Sequence, residues 1–212
     1  MTTTADRIAD TALRLFNQKG YPSTTLTEIA AEIGISQGNL TYHFPTKLDL
    51  ALHFSEQVRL HGEKRRANHA PGDIADDYLE SLHNAMQLTW TYGFLMRDRG
   101  IFEPADAVVA PSPILVAALA ERQALIERIA EEGLFRADAD VDVEVLSRSL
   151  WILSRHWADH LREMEAKADL EWTDMQRGID HHLAVLSPML TAAGRRRFRA
   201  ACDRAGWDNS VP

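Results

Sequence analysis

Along almost the whole chain, apolar residues recur at three-and-four spacing, the signature of helices with one buried face. The first helix is predicted over about residues 5–19, with Ile8, Ala12, Leu15 and Phe16 on one face and Gly20 set to turn the chain at its end. Thr25-Leu26-Thr27-Glu28 reads as a capping box, with Thr25 accepting from the amide near Glu28 and the Glu28 carboxylate reaching back. The short helix behind it offers Leu26, Ile29, Ala30 and Ile33 to a core and stops at Gly34, with Ile35 plugging in after it. Ser36 caps a third helix that runs to about Phe44, with Leu40 and Phe44 inward, and Pro45 ends it. Thr46 caps a fourth, with Asp49 three residues on and a buried face of Leu48, Ala51, Leu52 and Val58. The polar run 61–72 reads as a joint. Further helices are predicted at about 73–95, 96–105, 112–133, 141–166, 173–192 and 194–205, with Pro104, Pro111 and Pro113 as breaks and Gly133 and Gly178 as weaker ones. The expected fold is all-α: residues 1–50 as a small helical domain, 51–66 as a connecting helix, and 67–212 as a larger helical domain.

Composition narrows the class. Five Trp and seven Phe in 212 residues, 45% hydrophobic, exclude a disordered or fibrous chain. The single cysteine, Cys202, closes no internal disulfide and reads as a passive thiol. Met1 runs into a polar stretch, and the longest apolar run, 108–120, carries Pro111 and Pro113, so neither an export signal nor a membrane span is expected and the chain is placed in the cytoplasm.

A net charge of −8 argues against a nucleic-acid binder until its distribution is examined. Through Arg66 there are eight Lys/Arg against seven Asp/Glu; the remainder carries 15 against 24. An acidic body repels phosphate, so any DNA contact must be confined to the N-terminal segment. Even there, four basic residues face five acidic ones through Leu50, so affinity has to come from local placement and from doubling in a dimer.

Two short helices joined by Gly34-Ile35-Ser36 match a helix-turn-helix, whose second helix enters the major groove while the first braces it. Packing through Ala30, Ile35 and Leu40 leaves Gln37, Gly38, Asn39, Thr41, Tyr42 and His43 facing outward. Amides at Gln37 and Asn39 suit adenine, the Tyr42 ring suits a thymine methyl, and Gly38 allows close approach. Thr25, Thr27, His43 and Lys47 sit at helix ends suited to phosphate oxygens, with Lys47 as the expected charged contact.

These residues resemble the N-terminal domain of the TetR family of bacterial transcriptional regulators over about residues 6–52. The resemblance rests on Gly20-Tyr21, Thr24-Thr25, Ile29-Ala30, Gly34-Ile35-Ser36, Gly38, Leu40, His43-Phe44 and Lys47 at that family's spacing. It implies base-facing roles for Gln37, Asn39 and Tyr42 and phosphate-facing roles for Thr27, His43 and Lys47. Thr41 stands at a phosphate-contact position where members commonly carry Tyr, and Pro45 replaces a commonly polar or basic residue. The resemblance further implies a C-terminal domain that is helical, dimerising and commonly ligand-binding.

In that domain the 141–166 helix places Leu146, Leu150, Leu153, Trp157, Leu161 and Met164 on one stripe, and the 173–192 helix places Met175, Ile179, His182, Leu183, Leu186 and Leu190 likewise. Two such faces invite a four-helix contact between subunits, with Leu150, Leu153, Leu161, Ile179, His182, Leu183 and Leu186 as the expected homodimer interface. Met86, Trp90, Phe94, Met96, Phe102, Leu119, Trp151 and Trp157 are bulky enough to line an apolar effector cavity, although each also suits plain core. His156, His160, Asp159, His181 and His182 form no accepted metal motif, so no metal or cofactor is expected. The run Arg195-Arg196-Arg197 with Arg199 reads as a solvated helix face, not a nucleic-acid patch.

The expected function is therefore a homodimeric, non-enzymatic transcriptional regulator, more readily a repressor, that binds a palindromic double-stranded DNA operator. A small apolar effector would release it, with helices from about 96 to 133 passing the signal to the helix at 46–66. The rivals are a helical protein-interaction module and a metal-dependent hydrolase built on His156 and His160.

Overall fold

The computed structural model describes residues 3–102, 112–167 and 169–207. The chain divides into two compact units, residues 1–68 with 91–112 and residues 69–90 with 113–212. In this division the stretch after residue 90 lies with the N-terminal helices, whereas the sequence pattern predicts residues 67–212 as one domain.

The first unit holds α1 (Thr4–Lys19), α2 (Leu26–Glu32), α3 (Gln37–His43), α4 (Lys47–Asn68), α6 (Gly93–Arg97) and α7 (Arg99–Phe102). Local chemistry sets the starts of α1 to α4. The Thr3, Thr25 and Ser36 hydroxyls accept from Asp6, Glu28 and Asn39 amides, and Thr46 and Asp49 cap each other at 2.8 and 3.2 Å. The Glu28 carboxylate pairs mainly with Lys19 on α1 and only weakly reaches back to the Thr25 amide. Gly34 supplies the left-handed residue between α2 and α3, at φ +71°. Ile8, Ala12, Phe16, Ile29, Leu40, Leu50 and Phe54 close the core, joined by Phe94 at ring distances of 4.9 Å to Phe16 and 5.7 Å to Phe54. Leu52, expected on the buried face of α4, is 52% exposed, and Leu48 is exposed too.

The second unit is built from α5 (Ile74–Thr91), whose last residue joins the first unit, with α8 (Pro113–Glu131), α9 (Val143–Met164), α10 (Trp172–Leu186), a short 3-10 turn (Ser187–Met189) and α11 (Ala192–Ala205). Gly133, at φ +66°, lets the chain turn just past the end of α8. Gly178 is no break: it lies inside α10, where a Cβ would come within 2.5 and 2.7 Å of Trp157 ring atoms. On α11, Arg197 pairs with Asp73 and Glu132 and Arg195 donates to the Leu190 carbonyl at 2.7 Å, while Arg196 and Arg199 are exposed. Among the described residues no strand forms, and no helix is long and apolar enough to cross a membrane.

Candidate nucleic-acid interface

On α3, Leu40 is fully buried, whereas Gln37, Gly38, Asn39, Tyr42 and His43 face outward as expected from the spacing. Tyr42 is 84% exposed. A phenol that large on the outside contributes nothing to the core of its own unit, so its reason lies outside the fold. The Gln37 amide is held in place: the Thr27 hydroxyl of α2 donates to its Oε1 at 2.9 Å. Thr25 and Thr27 are both exposed at the start of α2, although the Thr25 hydroxyl is occupied by the Glu28 amide. Thr41 is half-buried and its hydroxyl donates to the Gly38 carbonyl, so it turns back on its own helix.

Lys47 departs most from expectation. Its ammonium donates to the carbonyls of Tyr21 at 2.7 Å, Thr24 at 2.9 Å and, more weakly, Pro22 at 3.3 Å, and it sits 4.4 Å above the Tyr21 ring. An ammonium has three protons, and all three are committed. Desolvation lowers the Lys47 pKa from its ordinary value. The residue expected to hold a phosphate is here a clamp on the turn that leads into α2.

The segment after α5 braces the same unit, a role that the sequence reading missed. Asn17 of α1 donates to the Thr91 carbonyl at 2.7 Å and accepts from the Phe94 amide at 3.0 Å. Buried Asp98 accepts from the Tyr21 amide at 2.9 Å, and Arg97 donates to the Phe16 carbonyl at 2.9 Å. No local pattern signals these bonds, because the partners lie over 70 positions apart in the chain.

The residues expected to line an effector cavity are divided between the two units. Phe94 is in the core of the first unit, and the side chain of Phe102 lies outside the described residues. Met86 and Trp157 meet beside Gly178, and the Trp157 indole donates to the Asp174 carbonyl at 2.8 Å. Trp90 donates to the Leu170 carbonyl, while Leu119 and Trp151 are half-buried. The expected dimer residues differ in their exposure within the single chain. Leu150, Leu161, Ile179, His182, Leu183 and Leu186 are buried within the single chain, and only Leu153 keeps surface. The faces that α9 and α10 turn outward carry Val145, Ile152 and Val185 instead.

Deeper in the second unit lies a polar cluster that the periodicity did not predict. Tyr78 bonds His182 Nε2 at 2.6 Å, Ser154 bonds His182 Nδ1 at 3.0 Å, and the guanidinium of Arg122 lies 4.7 Å from the Tyr78 ring centre. The signal was present, since Arg122 is a lone charge in phase with Leu125, Ile126 and Ile129 on the buried face of α8.

A family model described as "Bacterial regulatory proteins, tetR family" matches residues 8–54, and another, "Bacterial transcriptional repressor", matches residues 63–198. The chain belongs to the TetR family. Among curated relatives, the biofilm operon icaADBC HTH-type negative transcriptional regulator IcaR of Staphylococcus aureus (strain Newman) is 48% identical over 42 residues, 20% of this chain and 23% of that protein. The HTH-type transcriptional regulator AcrR of Shigella flexneri is 49% identical over 53 residues, 25% of this chain and 23% of its own length. The matches thus span under a quarter of each relative's length. The fold extends further. A TetR-family transcriptional regulator from Marinobacter aquaeolei VT8 superposes with TM-score 0.75 at 24% identity, covering 99% of this chain and 100% of that one. A gamma-butyrolactone receptor (ArpA-like protein) does so with TM-score 0.62 at 20% identity, covering 93% and 94%.

Proposed function

We propose that this TetR-family protein is a ligand-responsive transcriptional repressor that reads an inverted-repeat operator as a homodimer. The observation that carries this reading is the outward face of α3, where Gln37, Asn39 and Tyr42 stand clear of the core and the Thr27 hydroxyl holds Gln37 in place. Amides read adenine edges, the phenol packs on a thymine methyl, and exposed Thr27 and His43 lie at the flanks where the sugar-phosphate backbone passes. Thr25 and Thr41 act there through the backbone they cap, and Lys47 acts by holding the turn before α2.

Two recognition helices must meet successive major grooves roughly 34 Å apart, so the reading requires two subunits. The outward apolar positions Val145, Ile152 and Val185 on α9 and α10 support a face for the second copy better than the buried stripe does. A small-molecule effector belongs to the second unit, where it would favour a conformation with the recognition helices wrongly spaced. Because segment 91–102 is built into the first unit, that segment is the means by which α5 passes the change on.

Selection of bound duplexes from a random DNA pool tests the reading. An enriched inverted repeat is expected, and Tyr42→Ala should weaken that sequence more than random DNA. Equal loss on both kinds of DNA would remove Tyr42 from base reading, and no enrichment by a folded protein in any ligand state would overturn the operator.

A further inference from the structure

Among the described residues of the second unit, buried charges come with partners, with one exception. Asp77 accepts from Arg128 at 2.7 Å, and Asp174 pairs with Lys167. Arg122 is only 3% exposed, has no carboxylate within ion-pair distance among the described residues, and leaves its buried Nη1 without an acceptor. A guanidinium cannot shed its charge, so burial cannot be relieved by deprotonation.

The neighbouring groups do not supply the missing anion. Ser154 has one proton and gives it to the Leu150 carbonyl at 3.0 Å, so its oxygen accepts from His182 Nδ1. His182 Nε2 is then the acceptor for the Tyr78 hydroxyl. The relay is complete and uncharged: burial raises the Tyr78 pKa, and burial with the nearby Arg122 charge keeps His182 unprotonated. What remains is one positive charge over an aromatic ring, in reach of the uncharged Tyr78 hydroxyl and with Nη1 unfilled, on the helix that also buries Leu125 and Ile126. Isolated buried charge is costly, and an arriving oxyanion would remove that cost.

We propose that Arg122 anchors the negatively charged head of this regulator's effector, a small organic carboxylate whose apolar remainder sits among the core side chains of α5 and α8. The assignment rests on reading the second unit as the effector domain, and it adds a charge to the small apolar effector expected from the bulky side chains of that domain.

The test uses the full chain and three carboxylate probes (octanoate, butyrate and benzoate) against octanol, butanol and benzyl alcohol, followed by thermal denaturation and isothermal titration. At least one carboxylate should bind about tenfold more tightly than its alcohol, and Arg122→Met should abolish that preference. Without ligand, Arg122→Met should unfold at or above the wild-type temperature, since it removes an unpaired buried charge. Arg122→Lys, which keeps the charge without the planar fork, should retain a weakened preference for carboxylate. Carboxylates no tighter than their alcohols, a preference that survives Arg122→Met, or a clear loss of ligand-free stability in that variant would each overturn the inference. Operator release by an uncharged compound alone would overturn it while leaving the repressor reading intact. Failure to bind any operator would remove the repressor reading, and carboxylate binding would still be scored directly.

Discussion

Replacing Lys47 with Met keeps most of the hydrocarbon stem and removes the ammonium that joins α4 to the turn before α2. The wild-type ammonium makes two good bonds, at 2.7 and 2.9 Å, a longer one at 3.3 Å, and a contact 4.4 Å above the Tyr21 ring. Bonds to a charged donor are worth about 1.5–3 kcal/mol each when buried. Lys47 is only half-buried, and water can replace it on the carbonyls, so the total, cation–π contact included, is discounted to about 1–2 kcal/mol. For a chain of this size that corresponds to a fall in Tm of about 2–8 °C by circular dichroism. Operator affinity should fall too, because α2 carries the Thr27 that holds Gln37. The slope of log affinity against log salt should stay unchanged in fluorescence anisotropy, whereas loss of a direct phosphate contact lowers it by about 0.9 per subunit. An unchanged Tm with a flattened slope would refute the clamp and restore Lys47 to the phosphate contacts.

Other outcomes follow from the same geometry. Gly178→Ala drives a methyl to 2.5 Å from the Trp157 ring and should cost about 1–3 kcal/mol in denaturant unfolding, although alanine is the better helix former; a neutral result would mean that Met86 and Trp157 repack freely. Burial holds the His182 pKa well below 6.5, so the unfolded chain binds a proton that the folded chain refuses. Stability should therefore be lost as pH falls below about 6.5, by up to about 1.4 kcal/mol per pH unit from this group, and His182→Gln should show a shallower acid slope. An identical slope in that variant would assign the acid sensitivity elsewhere. The Cys202 thiol is pushed up to about 11 by burial, so at pH 8 a thiol reagent should label the native protein far more slowly than the denatured one. Rapid native labelling would show that α11 opens readily.

The helix-turn-helix was legible because its determinants are local. Thr25 and Ser36 find their acceptor roles within three residues, and Gly34 takes the one backbone conformation that other residues resist. Leu40 and the outward residues around it are sorted by helical period alone. The same logic misassigned Leu52, since periodicity states which residues share a face and not how wide the buried stripe is. On α9 and α10 it found real stripes at Leu150, Leu161, Ile179 and Leu183 but could not say whether they bury within one chain or between two.

Sequence by itself therefore determined the helical class, the caps and turns that build the reading head, and the side chains that the recognition helix presents, all through interactions spanning a few residues. Tertiary structure alone decided that Lys47 spends its charge on carbonyls 23 to 26 positions away, that 91–102 completes the N-terminal unit, and that Arg122 is buried without an anion. The reason is physical: capping and helical period depend on sequence neighbours, whereas the partner of a charge depends on which distant backbone the fold brings beside it.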